Sequence, residues 1–237
     1  IELGDFMKKN TFFLFLTILF ACFSLVNTTL IVHQQKKDLS ISAVSGYTIF
    51  VDPGHGGKDN GASFNDVLED EINLSIATKV YELLLDLGAR TLISRVDDYD
   101  LSDVYAKNHK IQDLNKRIKY MQENQADLFV SIHLNSFSNE NVSGAQVFYK
   151  KQVTASEEFA ILMQQTLNTI NKKEKKPKVG DYYLLNYSGD INGIMVECGF
   201  LSNTEERNKL ITEEYQNQIA NLIKEGIVAY LETKNRI

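Results

Sequence analysis

The chain is short of sulfur, of imidazole and of positive charge, and each shortage narrows its chemistry. Two cysteines, Cys22 and Cys198, stand among 237 residues. Cys22 falls in an apolar N-terminal stretch. That leaves Cys198 alone in the folded part and excludes both a disulfide framework and a cysteine-based zinc cluster. Four histidines are present, His33, His55, His109 and His133, so any histidine-ligated metal must draw on this set. The net charge is −6. An acidic chain does not neutralise a phosphate backbone, and nucleic acid is not expected as a partner. The one basic run, Lys172-Lys173-Glu174-Lys175-Lys176-Pro177-Lys178, carries a proline and no aromatic residue, and reads as a solvated loop. There is no internal repeat and no low-complexity tract. The glycine-rich stretch after residue 53 has neither GxxxxGK[ST] nor GxGxxG spacing, which argues against a nucleotide.

What is present is enough for one domain. Apolar content of 43% and charged content of 24% are those of a globular protein. Met7-Lys8-Lys9-Asn10 precedes an apolar run from Phe12 to Val26, the pattern of a secretory signal. Met7 reads as the initiator and residues 1–6 as foreign to the natural start. Extended to Val32, the run nearly spans a bilayer, with Asn27-Thr28-Thr29 interrupting it. Residues 1–32 are therefore read as an export signal or an N-terminal anchor, and the remainder is expected on the extracytoplasmic side. Residues 33–46 are polar and lack periodicity, as a linker would. The folded domain is expected over residues 47–233.

Within it, Ile49-Phe50-Val51 runs straight into Asp52-Pro53-Gly54-His55-Gly56-Gly57, a buried strand ending in an abrupt turn. Glycine on both sides leaves open space around the His55 imidazole. A helix is expected over 71–86, from the spacing of Ile72, Ile76, Val80, Leu83, Leu84 and Leu87. Further strands are expected at 89–95, 126–136, 144–149 and 193–200, with helices at 111–124, 155–170, 204–210 and 212–232. Strands alternating with helices predict an α/β fold with a mainly parallel sheet in a single domain.

Three of these strands end in His55, His133 and Glu197. Ligands of an open parallel sheet bind at the carboxyl ends of its strands. Two imidazoles and a carboxylate are the donor set of a catalytic zinc, and water activated there also needs a base. Glu69 and Glu71 lie close to the His55 loop. Spacing alone does not choose between them, nor between Glu69 and Glu197 as third ligand. Each residue has a plainer reading: His133 as a satisfied core histidine, and Glu69-Asp70-Glu71 as an acidic first turn complementing the helix dipole.

Four ordered stretches carry a resemblance: Val51-Asp52-Pro53-Gly54-His55-Gly56-Gly57; Leu68-Glu69 with Asn73-Leu74; Ser131-Ile132-His133-Leu134-Asn135-Ser136; and Val196-Glu197-Cys198-Gly199-Phe200-Leu201-Ser202-Asn203. Together they resemble the zinc-dependent N-acetylmuramoyl-L-alanine amidases that cut stem peptides from bacterial peptidoglycan. The resemblance spans about residues 47–232. It implies a twisted sheet of about six strands flanked by helices. It implies Zn2+ on His55, Glu69 and His133, and Glu197 as the catalytic carboxylate. Asn135 and Arg95 are implied as substrate-binding residues; Arg117 also matches a family position, and structural pairing with carboxylates is the plainer reading of both arginines, favoured for Arg117. The bond cut would be the amide between the lactyl group of N-acetylmuramic acid and L-alanine.

Two departures from the family are informative. No wall-binding repeats accompany the domain, and 96–110 is a modest loop where division amidases carry a long shielding insertion. The site is expected to be open, with targeting left to the N-terminal segment or an accessory protein. This layout is most similar to the germination-specific amidases of spore formers, which act on spore cortex ahead of muramic-lactam formation. The competing reading is a non-catalytic peptidoglycan-binding or regulatory protein on the same fold, which a missing ligand or base would indicate. None is missing.

Overall fold

The computed structural model describes residues 2–151 and 153–234, with side chains described from Leu14 onward. The expectations about residues 1–6 and the basic start at Met7 rest on side chains outside the described residues. The chain divides into two compact units, Ile1–Ser42 and Ala43–Ile237.

Helix α1 runs over Glu2–Val44. Its portion Leu14–Val44 is long and apolar enough, by length and composition, to cross a membrane. The segment expected as a linker, 33–46, is thus helical as far as Val44. Neither glycine nor proline interrupts residues 33–45. Local bonds sustain the helix: Gln34 Nε2 donates to Asp38 Oδ1 at 2.7 Å and Ser40 Oγ to the Lys36 carbonyl at 3.0 Å. Exposed over residues 33–39 and buried only at Ala43 and Val44 near its end, the segment shows no periodicity despite being helical. Gly46, at φ +84°, lies just beyond its end, in the left-handed conformation that commonly terminates a helix.

The second unit alternates strands and helices. In chain order these are β1 Thr48–Pro53, the small hairpin β2 Ser63–Phe64 and β3 Val67–Leu68, α2 Glu69–Asp86, β4 Arg90–Ile93, α3 His109–Glu123, β5 Leu128–Asn135, β6 Gln146–Tyr149, α4 Thr154–Leu167, β7 Lys178–Val179, α5 Tyr183–Tyr187, β8 Asn192–Phe200, α6 Thr204–Leu210 and α7 Glu213–Lys234. Six strands form one sheet in the order β4-β1-β5-β8-β6-β7. All neighbours are parallel except β6 and β8. This is the expected α/β architecture. The basic run is only partly loop, because Lys178 enters the edge strand β7 and Lys172 pairs with Glu205.

Strand alternation explains where the site lies. On one face, Ile49 and Val51 of β1, Leu128, Val130 and Ile132 of β5, and Ile194, Val196 and Cys198 of β8 pack under α2, α4 and α7. On the other, Phe50, Phe129 and Met195 pack with Ile118 and Met121 of α3 and Leu184 and Leu185 of α5. Two residues further along each strand, this second face turns polar: Asp52 follows Phe50, Ser131 and His133 follow Phe129, and Glu197 follows Met195. Asp52 is in register with Ser131, and His133 with Glu197. The apolar layer ends and the polar site begins on the same face.

Candidate active site

His55 sits on the loop after β1 at φ +63°, the left-handed region that a side chain bearing a Cβ seldom adopts. Two anchors hold it there. The His55 carbonyl accepts from Arg117 Nη2 at 2.7 Å, and Gly56 and Asp59 exchange backbone hydrogen bonds of 2.9 and 3.3 Å just beyond it. Arg117 is itself buried. It donates from Nη1 to Asp52 Oδ1 at 2.6 Å and to the Pro53 carbonyl at 2.7 Å, and from Nε to Asp113 Oδ2 at 2.8 Å. Burial alone would raise the Asp52 carboxyl. The adjacent Arg117 charge and hydrogen bonds from Ser131, Ser94 and Arg117 outweigh burial and hold it below the usual carboxylate range.

Glu69 is the first residue of α2, delivered by the β2–β3 hairpin. Its Oε2 accepts from the Ala62 N–H at 2.7 Å. Its Oε1 accepts from the Leu134 N–H at 3.1 Å and Asn73 Nδ2 at 3.2 Å. The same Oε1 lies 3.2 Å from His55 Nε2 and 3.1 Å from His133 Nδ1. Burial would raise this carboxyl, but the two imidazoles and their hydrogen bonds drive it far below the carboxylate range. Donor atoms of His55, Glu69 and His133 all lie within 4.8 Å of one another. Glycines make room for them. A Cβ on Gly54 would overlap the His133 imidazole, and one on Gly61 would press on Glu69 and His55.

Glu197 is 6% exposed, and its Oε2 has no hydrogen-bond partner among the described residues. Burial, reinforced by the Glu69 charge, pushes its carboxyl up to about 7 against the opposing pull of the histidines and Tyr182. Two carboxylates in one cleft thus have opposite environments, which is how acid–base roles are separated. The cleft has a volume of about 420 Å³, and Asn135, Tyr182 and Lys110 contribute to its walls along with the three clustered residues and Glu197.

Arg95 is corrected. It is 1% exposed, and its guanidinium donates to the carbonyls of Pro53, Gly54, Asp70 and Asp97 at 2.8–3.3 Å. It braces the His55 loop against the start of α2 and is not among the residues that line the cleft. Sequence reasoning passed over three residues near the site. Asp59 could have been flagged as a carboxylate four residues beyond His55 in the glycine loop. Tyr182 and Lys110 have no sequence signal, since only the fold brings α5 and α3 to the cleft.

The profile of the N-acetylmuramoyl-L-alanine amidase family matches residues 49–229. The germination-specific N-acetylmuramoyl-L-alanine amidase of Bacillus subtilis (strain 168) is 35% identical over 196 residues, covering 81% of this chain and 82% of that protein. The CwlD amidase of Clostridioides difficile, solved in complex with the GerS lipoprotein, superposes with a TM-score of 0.72 at 38% identity, over 79% of this chain and all of that one. An N-acetylmuramoyl-L-alanine amidase from Clostridium difficile 630 gives 0.71 at 32% identity, over 79% and 98%. With the fold, the ordered motifs and these relatives in agreement, the chain belongs to the N-acetylmuramoyl-L-alanine amidase family and is a peptidoglycan amidase.

Proposed function

We propose that this amidase is a zinc hydrolase, with His55, Glu69 and His133 as its ligands and Glu197 as its proton-transfer group, acting outside the cytoplasm on spore-cortex peptidoglycan. The observation that carries the reading is the unpartnered Glu197 carboxylate oxygen, buried in the cleft that holds the three-donor cluster. A buried polar atom left without a partner is unfavourable unless the site is completed by something else. Two imidazole nitrogens and one carboxylate oxygen suit zinc with an open position. When bound, zinc supplies Lewis-acid chemistry toward the lactyl carbonyl and acidifies water.

This chain's residues do the rest. Glu197 takes a proton from the attacking water as its oxygen bonds to the lactyl carbonyl carbon. It then returns that proton to the nitrogen of L-alanine as the C–N bond breaks, leaving a lactyl carboxylic acid and a free amine, and the second proton of the water, still on the acid, passes to the amine or to solvent. Asn135, at the end of β5 on the cleft wall, is assigned to orienting the substrate. The germination-specific Bacillus subtilis relative supports cortex as the setting, in which we place stem-peptide removal ahead of muramic-lactam formation. The solved complex with a lipoprotein supports an accessory protein partner. Helix α1 supports export, with the segment either removed as a signal or kept as an anchor.

Glu197→Gln separates the roles. The variant is expected to keep its fold and zinc affinity while losing about 10²–10⁴-fold in turnover, the range for a lost general base. Turnover at the unsubstituted level would remove Glu197 from the chemistry.

A further inference from the structure

Asp59 plays no part in the reaction as proposed above, yet its carboxylate is tied into the site from both oxygens. Oδ2 lies 3.1 Å from His55 Nδ1, on the opposite side of the ring from Nε2, which faces Glu69. The same oxygen is 3.3 Å from Lys110 Nζ on α3. Oδ1 accepts from the Gly61 N–H at 3.2 Å. The Gly56–Asp59 backbone bridge fixes the carboxylate relative to the histidine four residues earlier. This loop holds His55 in the left-handed region, with its carbonyl bound by Arg117.

We propose that Asp59 is the positioning residue of His55. It accepts the Nδ1–H, which fixes both the ring orientation and the tautomer, so that the Nε2 lone pair is directed at the point shared with Glu69 and His133. A ring without that acceptor can rotate, or carry its proton on Nε2, and either change removes a donor from the cluster. His133 is placed differently, by close packing of its ring on Gly54, so the two histidines depend on different supports. Lys110 joins the outer side of Asp59 to α3, so the carboxylate is located by the fold as well as by its own loop. The inference rests on the zinc reading of His55, Glu69 and His133.

The test is a zinc-competition titration against a chromophoric chelator, using the full chain in detergent. Asp59→Ala and Asp59→Asn are compared with Glu205→Ala, a surface carboxylate away from the cleft. Asparagine keeps a side-chain oxygen that can accept from Nδ1 and drops the charge; alanine drops both. Asp59→Ala is expected to lose about 10–100-fold in zinc affinity, the usual cost of losing a residue that orients a metal ligand, with Asp59→Asn recovering most of it. Melting of the metal-free forms should match that of Glu205→Ala, separating positioning from general stability. Unchanged affinity in Asp59→Ala overturns the proposal. An equal loss in Asp59→Asn overturns it too, because charge rather than hydrogen-bond acceptance would then be the operative property. Absence of zinc binding by the unsubstituted chain is a different result and overturns the zinc reading itself.

Discussion

Gly54 lies under the imidazole of His133, and the absence of a side chain there is what lets β1 and β5 bring two histidines together at a ring-centroid distance of 4.9 Å. Gly54→Ala would force the His133 ring aside. Because displacements near 1 Å in a catalytic constellation cost about 10²-fold, kcat/KM is expected to fall by about that factor. Zinc affinity should fall with it and melting should change little, since the collision is with a ring at the cleft and not with the core. Steady-state kinetics and the zinc titration check this, and unaltered kinetics would show that the ring tolerates the shift. The same scale explains the choice among glutamates. Glu71 is exposed, whereas Glu69, two residues earlier at the first position of α2, is buried against both imidazoles.

Among elements, the Asp52–Arg117–Asp113 network ties the end of β1 to α3 beneath the His55 loop. Removing Arg117 leaves the Asp52 charge buried without its cation, and Arg117→Ala is expected to lower stability by about 3–5 kcal/mol, the usual cost of breaking a buried pair. Urea denaturation measures it. The linkage of Asp52 to pH has a definite sign. Its folded-state pKa is depressed, so its contribution is present above the ordinary carboxylate range and is lost as pH falls through the folded value. Asp52→Asn should therefore be less stable than the unsubstituted chain at neutral pH, and the gap should narrow in acid.

Elements also show how far the sequence can be read. His55, His133 and Glu197 were legible as candidates because each follows a run of β-branched and aromatic residues, although β5 and β8 continue past theirs to Asn135 and Phe200 and His55 lies two residues beyond the end of β1. The parallel sheet followed from strand–helix alternation. The choice of Glu69 over Glu71 was not legible from spacing, because it depends on the exact start of α2 and on a two-residue hairpin that leaves no periodic trace. The bracing contacts of Arg95 were not legible for a related reason. Its partners are backbone carbonyls from three separate segments, and carbonyls carry no sequence signature. The helix over 33–44 was missed because periodicity reports a buried face, and this stretch is mostly exposed.

On the whole-molecule scale, the division after Ser42 gives a further expectation. Among the described residues, the core of the second unit draws on Ala43 and Val44 and on elements as late as α7. A chain from Ala43 onward should fold with an unaltered melting temperature and retain the amidase site, whereas the full chain is expected to associate with lipid vesicles through α1 and the shortened one is not. Vesicle flotation of the two chains reads this directly. Flotation of the shortened chain would place membrane affinity in the catalytic unit instead.

The most direct test of the central claim is release of stem peptides from purified peptidoglycan by the full chain, stripped of metal and then resupplied with zinc. The account predicts release only with zinc, and released peptides that begin with a new N-terminal L-alanine. Release that persists after metal is stripped would contradict the zinc chemistry. Peptides beginning with any other residue would contradict the assignment of the bond.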